Sequence, residues 1–185
     1  MKKYFFSLMT IMMVALAGVS FVSCGSDDDN NGGGGNSSSS GLQVGANYGF
    51  YHKNSSNSWE FYFCSHDMGS PSVLGQTIDM VIIGLKTNEA FDNIPVGEFE
   101  GCFAVDIEKG MKISNTGEAT NGTYYESGSR SNTTGKLTIK SNGGNNYTVS
   151  YSGVNLYADD SNTPAIENAS FSFTGAIVDY PWYNE

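Results

Sequence analysis

Apolar and polar residues alternate along most of this chain, and they do so with a period of two. Trp59, Phe61 and Phe63 fall on one face of a short run, with Glu60 and Tyr62 opposite. Phe99, Gly101, Phe103, Val105 and Ile107 share a face, while Glu98, Glu100, Asp106 and Glu108 point the other way. Leu137 and Ile139, then Tyr147, Val149 and Tyr151, then Phe171 and Phe173 repeat the pattern. Strict alternation over such lengths predicts half-buried β-strands, and no stretch carries the 3.6-residue period of a helix. One face buried and one wet is the mark of antiparallel sheets. The predicted strands cover about 45–53, 58–65, 76–86, 94–108 (with a break allowed), 122–127, 134–141, 146–157 and 166–178.

Three details refine this reading. Ile78-Asp79-Met80-Val81-Ile82-Ile83-Gly84-Leu85 is apolar on both faces, which places that strand centrally. Parity flips after Gly153, where Val154 and Leu156 take over from Tyr147, Val149 and Tyr151. A glycine at such a flip predicts a β-bulge. Asn121-Gly122, Asn142-Gly143-Gly144 and Asp159-Asp160-Ser161-Asn162 read as turns. Many short strands with frequent turns predict an all-β fold, an antiparallel β-sandwich, with a closed lipocalin-like β-barrel as the alternative.

The N-terminus breaks the pattern. Lys2 and Lys3 precede a run from 4 to 23 that carries no charge. A basic start, an apolar core and a small-residue exit make a secretory signal. A spanning helix needs about 20 predominantly apolar residues. Ser7, Thr10, Gly18, Ser20 and Ser23 dilute this run, so the signal is the preferred reading. Phe21-Val22-Ser23-Cys24 resembles the lipobox of bacterial lipoproteins, with Phe21 where leucine is usual and a small residue before the cysteine. The resemblance implies cleavage of a signal peptide at 1–23 and lipidation of Cys24. Two or more acyl chains would anchor the protein stably in a bilayer.

Cys24-Gly25-Ser26-Asp27-Asp28-Asp29 is similar to the start of surface-exposed lipoproteins of the Bacteroidetes. That similarity implies an outer-membrane protein facing the cell exterior. Gly25, where an aspartate would favour inner-membrane retention in enterobacterial lipoproteins, agrees with it. Residues 24–41 continue as an acidic, Gly- and Ser-rich tether. Such a composition buries too little apolar surface to fold. It would hold the domain roughly 20–25 Å from the membrane. Residues 42–185 are then one β domain, large enough to build its own core. The order Ile94-Pro95-x-Gly97-x-Phe99, Gly135-x-Leu137-x-Ile139, Tyr147-x-Val149, Phe171-x-Phe173-x-Gly175 resembles small Bacteroidetes lipoproteins with an all-β domain. The resemblance implies fold and location and brings no catalytic or ligand residue with it.

Charge narrows the partners. The chain has 19 Asp and Glu against 9 Lys and Arg, a net charge of −10 at pH 7. No basic patch is visible, which argues against nucleic acid. Cys64 and Cys102 form a candidate disulfide, since an exported protein can keep one. It would close a loop of about 38 residues, on the order of 4 kcal/mol of loop-closure entropy. Two free buried thiols are the equal alternative.

Catalytic signals are weak. His52 and His66 lack the three or four convergent ligands that a metal needs, so no metal or cofactor is expected. Glu98 with Glu100, and Asp106 with Glu108, are spaced as strand-face carboxylates rather than as a pair across a cleft. Neither G-x-S-x-G nor H-E-x-x-H occurs, so a non-enzymatic protein is expected. Asp159-Asp160-Ser161-Asn162 with Glu167 could offer oxygen ligands to calcium, yet lacks the twelve-residue loop pattern. Aromatic residues exceed what one core face needs. Trp59, Tyr124, Tyr125 and Trp182 are therefore candidate ligand-binding residues, since rings flanked by Asn and Asp suit sugars; the alternative is that they cap the sandwich ends. The expectation is a binding module for glycan or a surface partner. A structural subunit of an envelope assembly is the second reading and an enzyme the third.

Overall fold

The computed structural model describes residues 44–120, 122–128, 133–158 and 161–180. The signal at 1–23, Cys24, the tether, Asn121, Asp159, Asp160 and Trp182 lie outside the described residues. The strands are β1 (Tyr48–Ser55), β2 (Ser58–Cys64), β3 (Thr77–Lys86), β4 (Gly97–Glu100), β5 (Phe103–Ile113), β6 (Ala119–Thr120), β7 (Thr123–Glu126), β8 (Lys136–Gly143), β9 (Asn146–Ala158) and β10 (Ile166–Asp179). Among the described residues no helix is long and apolar enough to cross a membrane.

Two sheets pack face to face. The larger runs β1–β2–β3–β5–β7, with β6 on the end of β5. The smaller runs β10–β9–β8–β4. Two long strands turn the corners between them. The end of β9 leaves β8 and pairs with β7 through Tyr157 and Ala158. The end of β10 leaves β9 and runs beside β1, with Gly49 opposite Ile177 and Tyr51 opposite Asp179. That last pairing is parallel and departs from the all-antiparallel expectation. The smaller sheet ends on β4, so the fold is a sandwich and not the closed lipocalin-like barrel that alternation also allowed. Bent or bulged strands that switch sheets are the usual way to make such corners.

Gly153 supplies one bend. It sits at φ 74°, where a side chain would be strained. Tyr151 faces Phe171 and Val154 faces Ala169, so β9 carries one more residue than β10 over that interval. This is the bulge that the parity flip predicted. At the other corner β10 comes close to β1. A Cβ at Gly49 would lie 2.8 Å from the Phe173 ring. Gly49 therefore lets β10 cross onto the larger sheet.

Between the sheets, Trp59, Phe61, Phe63, Val81, Ile83, Leu85, Phe103, Val105 and Ile107 meet Leu137, Ile139, Val149, Tyr151, Phe171 and Phe173. Phe63 lies 5.3 Å from Phe171 and 4.9 Å from Phe173 between ring centroids. β3 is flanked by β2 and β5, as its two-faced apolarity predicted.

The break allowed for in the 94–108 segment falls at Gly101-Cys102, with β4 on the edge of the smaller sheet and β5 in the middle of the larger. Phe99 and Phe103 thus come from opposite sheets. The outer face of β2 and β5 is not the wet one that alternation predicted: Glu60, Tyr62, Cys64 and Asp106 are all buried. Tyr180, just past β10, folds over this face, 4.5 Å from Tyr62 and 5.6 Å from Phe50 between centroids. The Tyr62 hydroxyl donates to Glu60 at 2.8 Å, which lets both polar groups sit under cover.

Candidate functional site

The corner where β10 joins β1 holds a cleft of about 490 Å³, within the range usual for small-ligand sites. Four segments build it. β1 contributes Tyr51, the last residue of its pairing with β10, and His52 and Lys53 beyond it. The loop between β3 and β4 contributes Asp92, Asn93 and Ile94. The turn into β9 contributes Asn145 and Tyr147, and the end of β10 contributes Asp179. Trp59 of β2 also lines it, though the residue is only 1% exposed.

The loop is pinned in place. Thr87 N–H donates to Asn57 O at 2.9 Å and Phe91 N–H to Ser56 O at 2.7 Å. Lys53 Nζ donates to Asp92 O at 3.0 Å and lies 4.9 Å from the Trp59 ring centroid. A cation over an indole face is attractive, so one lysine fixes both the loop and the ring. Tyr51 packs 5.9 Å from Trp59. Ile177 N–H donates to Asn145 O at 2.8 Å, which ties the β9 turn to β10 by backbone alone. The side chains of Asn93, Asn145, Asp92 and Asp179 remain exposed at the rim.

The electrostatics follow from this crowding. Burial raises the pKa of Tyr51, and the nearby Asp179 and Tyr147 push it the same way. Burial holds His52 below its usual value, opposed by Glu60 and Asp179. The indole Nε1 of Trp59 is buried and has no hydrogen-bond partner. An unpaired buried N–H is costly, so the packing of Trp59 carries a penalty.

The sequence-predicted residues are not gathered here. Trp59 is in the cleft. Tyr125 is two strands away, on β7, facing the core beside Ile107. Tyr124 faces the other side and donates to Asp106 at 3.1 Å. Trp182 lies outside the described residues. Tyr147, Asp179 and the 92–94 loop were not singled out by sequence. Tyr147 read as a core-stripe residue, and only its place directly after Asn145-Asn146 hinted at a strand end.

Cys64 and Cys102 are free thiols. Cys64 is level with Met80, whereas the Cys102 carbonyl accepts from Lys86 N–H at 2.8 Å. Six residues of β3 separate those levels, roughly 20 Å at about 3.4 Å per residue. A disulfide needs Cα atoms within about 7 Å, so the candidate pairing does not form. Burial raises the pKa of both thiols, most strongly at fully buried Cys64. A thiol reagent should label Cys102 in the native protein and Cys64 only after unfolding. Reduction should leave the thermal midpoint unchanged, as calorimetry with and without reductant would show.

His52 pairs with Glu60 and His66 lies beyond Cys64, so β2 holds the two histidines apart. Among the described residues no three His, Cys, Asp or Glu side chains converge on a metal-sized space. Glu98 and Glu100 stand on the solvated face of β4, 3.0 and 3.6 Å from Lys136 Nζ. Replacing both with Gln should shift the thermal midpoint by less than about 2 °C, because exposed pairs contribute little. The chain matches no protein-family model, no curated protein and no solved structure.

Proposed function

We propose that this protein is a surface-exposed outer-membrane lipoprotein, held through Cys24, that acts as a non-enzymatic binding module for glycan. The cleft at the β1–β10 corner is its binding site. The observation that carries the reading is the cleft's composition: the half-buried rings of Tyr51 and Tyr147, with Trp59 packed behind Tyr51, beneath a rim of amides and carboxylates. Pyranose rings present an apolar face and a girdle of hydroxyls, which such a surface complements.

A role as subunit of an envelope assembly has less support. It would use the free edge on β4, but that edge is four residues long and carries Glu98 and Glu100. Short, charged edges discourage strand addition.

The test is a glycan array probed with the full chain, solubilised in a polyoxyethylene detergent so that no sugar headgroup competes. A saturable hit should weaken at least tenfold in the double variant Asn93→Ala/Asn145→Ala. Both side chains are exposed at the rim, so the thermal midpoint should hold. Binding that ignores these changes would place the ligand elsewhere.

A further inference from the structure

We infer that the cleft selects uncharged glycans and rejects acidic ones. This rests on the glycan-binding reading above and adds the chemical class of the ligand. Asp92, from the β3–β4 loop, and Asp179, from the end of β10, both line the cleft and are both exposed. An ionised carboxylate accepts hydrogen bonds and donates none, so both look for O–H or N–H donors. Asn93 and Asn145 beside them can donate and accept. Together these four side chains suit hydroxyl groups, which do both.

The same wall is poor for anions. Recognition of carboxylate, sulfate or phosphate favours the planar fork of arginine, and no arginine is among the described residues that line the cleft. The lysine present, Lys53, is engaged by the Asp92 carbonyl and the Trp59 face. His52 is the other basic group, and its burial disfavours the charged form. A uronate or sialate would therefore bring a negative charge toward two carboxylates, opposed among the described lining residues chiefly by the one charge of Lys53, which is already drawn to the loop carbonyl and the indole. Like charges a few ångströms apart repel strongly in a partly desolvated cleft.

Matched pairs test this with the full chain in the same detergent at low salt. Galactan is compared with polygalacturonate, and N-acetyllactosamine with its sialylated form. The expected result is saturable binding of a neutral member and at least tenfold weaker binding of its acidic partner. Asp92→Asn/Asp179→Asn should narrow that gap, because the repulsion is removed while acceptor oxygens remain. Equal or tighter binding of the acidic partner would overturn the selectivity and leave the glycan reading standing. No saturable binding of any neutral or acidic glycan would overturn both.

Discussion

Phe63→Ala should lower the unfolding free energy by about 3–5 kcal/mol, the range for truncating a buried aromatic side chain. Phe63 is fully buried and bridges the sheets, with Phe171 and Phe173 both within ring contact. Those partners sit on β10, near the place where it leaves the smaller sheet for β1. The void would therefore open beside a corner strand, where β9 and β10 are already bent. A domain with a total stability of about 5–15 kcal/mol would lose a large share of it. Phe63→Leu refills part of the space and should recover about half of the loss. Urea unfolding of the two variants checks this. A Phe63→Ala midpoint equal to wild type would mean that the two sheets do not depend on each other at this point.

The alternation that predicted this ring's burial also located most of the fold. Strand pairing needs a repeat of two, and that repeat is written in the side chains. Its loss over Ile78–Leu85, apolar on both faces, made β3 central, and its change of parity put the bulge at Gly153. Other features depend on long-range packing and leave weaker traces. Gly101-Cys102 sits inside one continuous alternating pattern, yet β4 and β5 belong to different sheets. The pattern survives because both strands aim their apolar side chains at the same core from opposite sides. The parallel pairing of β10 with β1 joins segments far apart in sequence, and only Gly49 records the close approach.

The cleft was legible in part. Trp59 was singled out for its ring, although alternation also placed it on a core face; the structure buries it on that face, at the back of the cleft. Its neighbours Tyr147 and Asp179 acquire a role only because β10 turns the corner beside the β8–β9 turn. Tyr124 and Tyr125 were candidates because aromatic residues exceed what one core face needs, and adjacent residues in a strand point to opposite sides. One of them packs against the core, and the other hydrogen-bonds a buried carboxyl. Sequence could not show that Tyr180 would cover Tyr62, or that Tyr124 would reach Asp106, so the outer face read as wet.

Asp106→Asn should stabilise the protein at neutral pH by about 1–3 kcal/mol, the usual cost of a poorly satisfied buried polar group. Asp106 is only 3% exposed. Burial is the main reason that its pKa lies well above the ordinary carboxylate value; Glu126, Glu108 and Glu60 add to it, and the hydrogen bond from Tyr124 opposes it. Those groups reach it from β7, from β5 itself and from β2. A carboxyl whose folded pKa is raised binds its proton more tightly in the native state than in the unfolded chain. Its stabilising contribution is complete below the unfolded value, near pH 4, and is lost as pH rises toward the folded value. Glu108 has the same sign, with burial raising its pKa against the hydrogen bond from Gly122 N–H. Wild type should therefore lose stability on going from acid toward neutral pH, at least through these two groups. The asparagine keeps an oxygen for the Tyr124 hydroxyl, and its amide can donate toward the neighbouring carboxylates. The variant should match wild type near pH 4, exceed it at pH 7, and show a flatter pH profile between. Thermal melts across that interval decide the matter. A lower midpoint at pH 7, or an unchanged slope, would mean that the charge on Asp106 is balanced in the native fold and that its burial costs nothing.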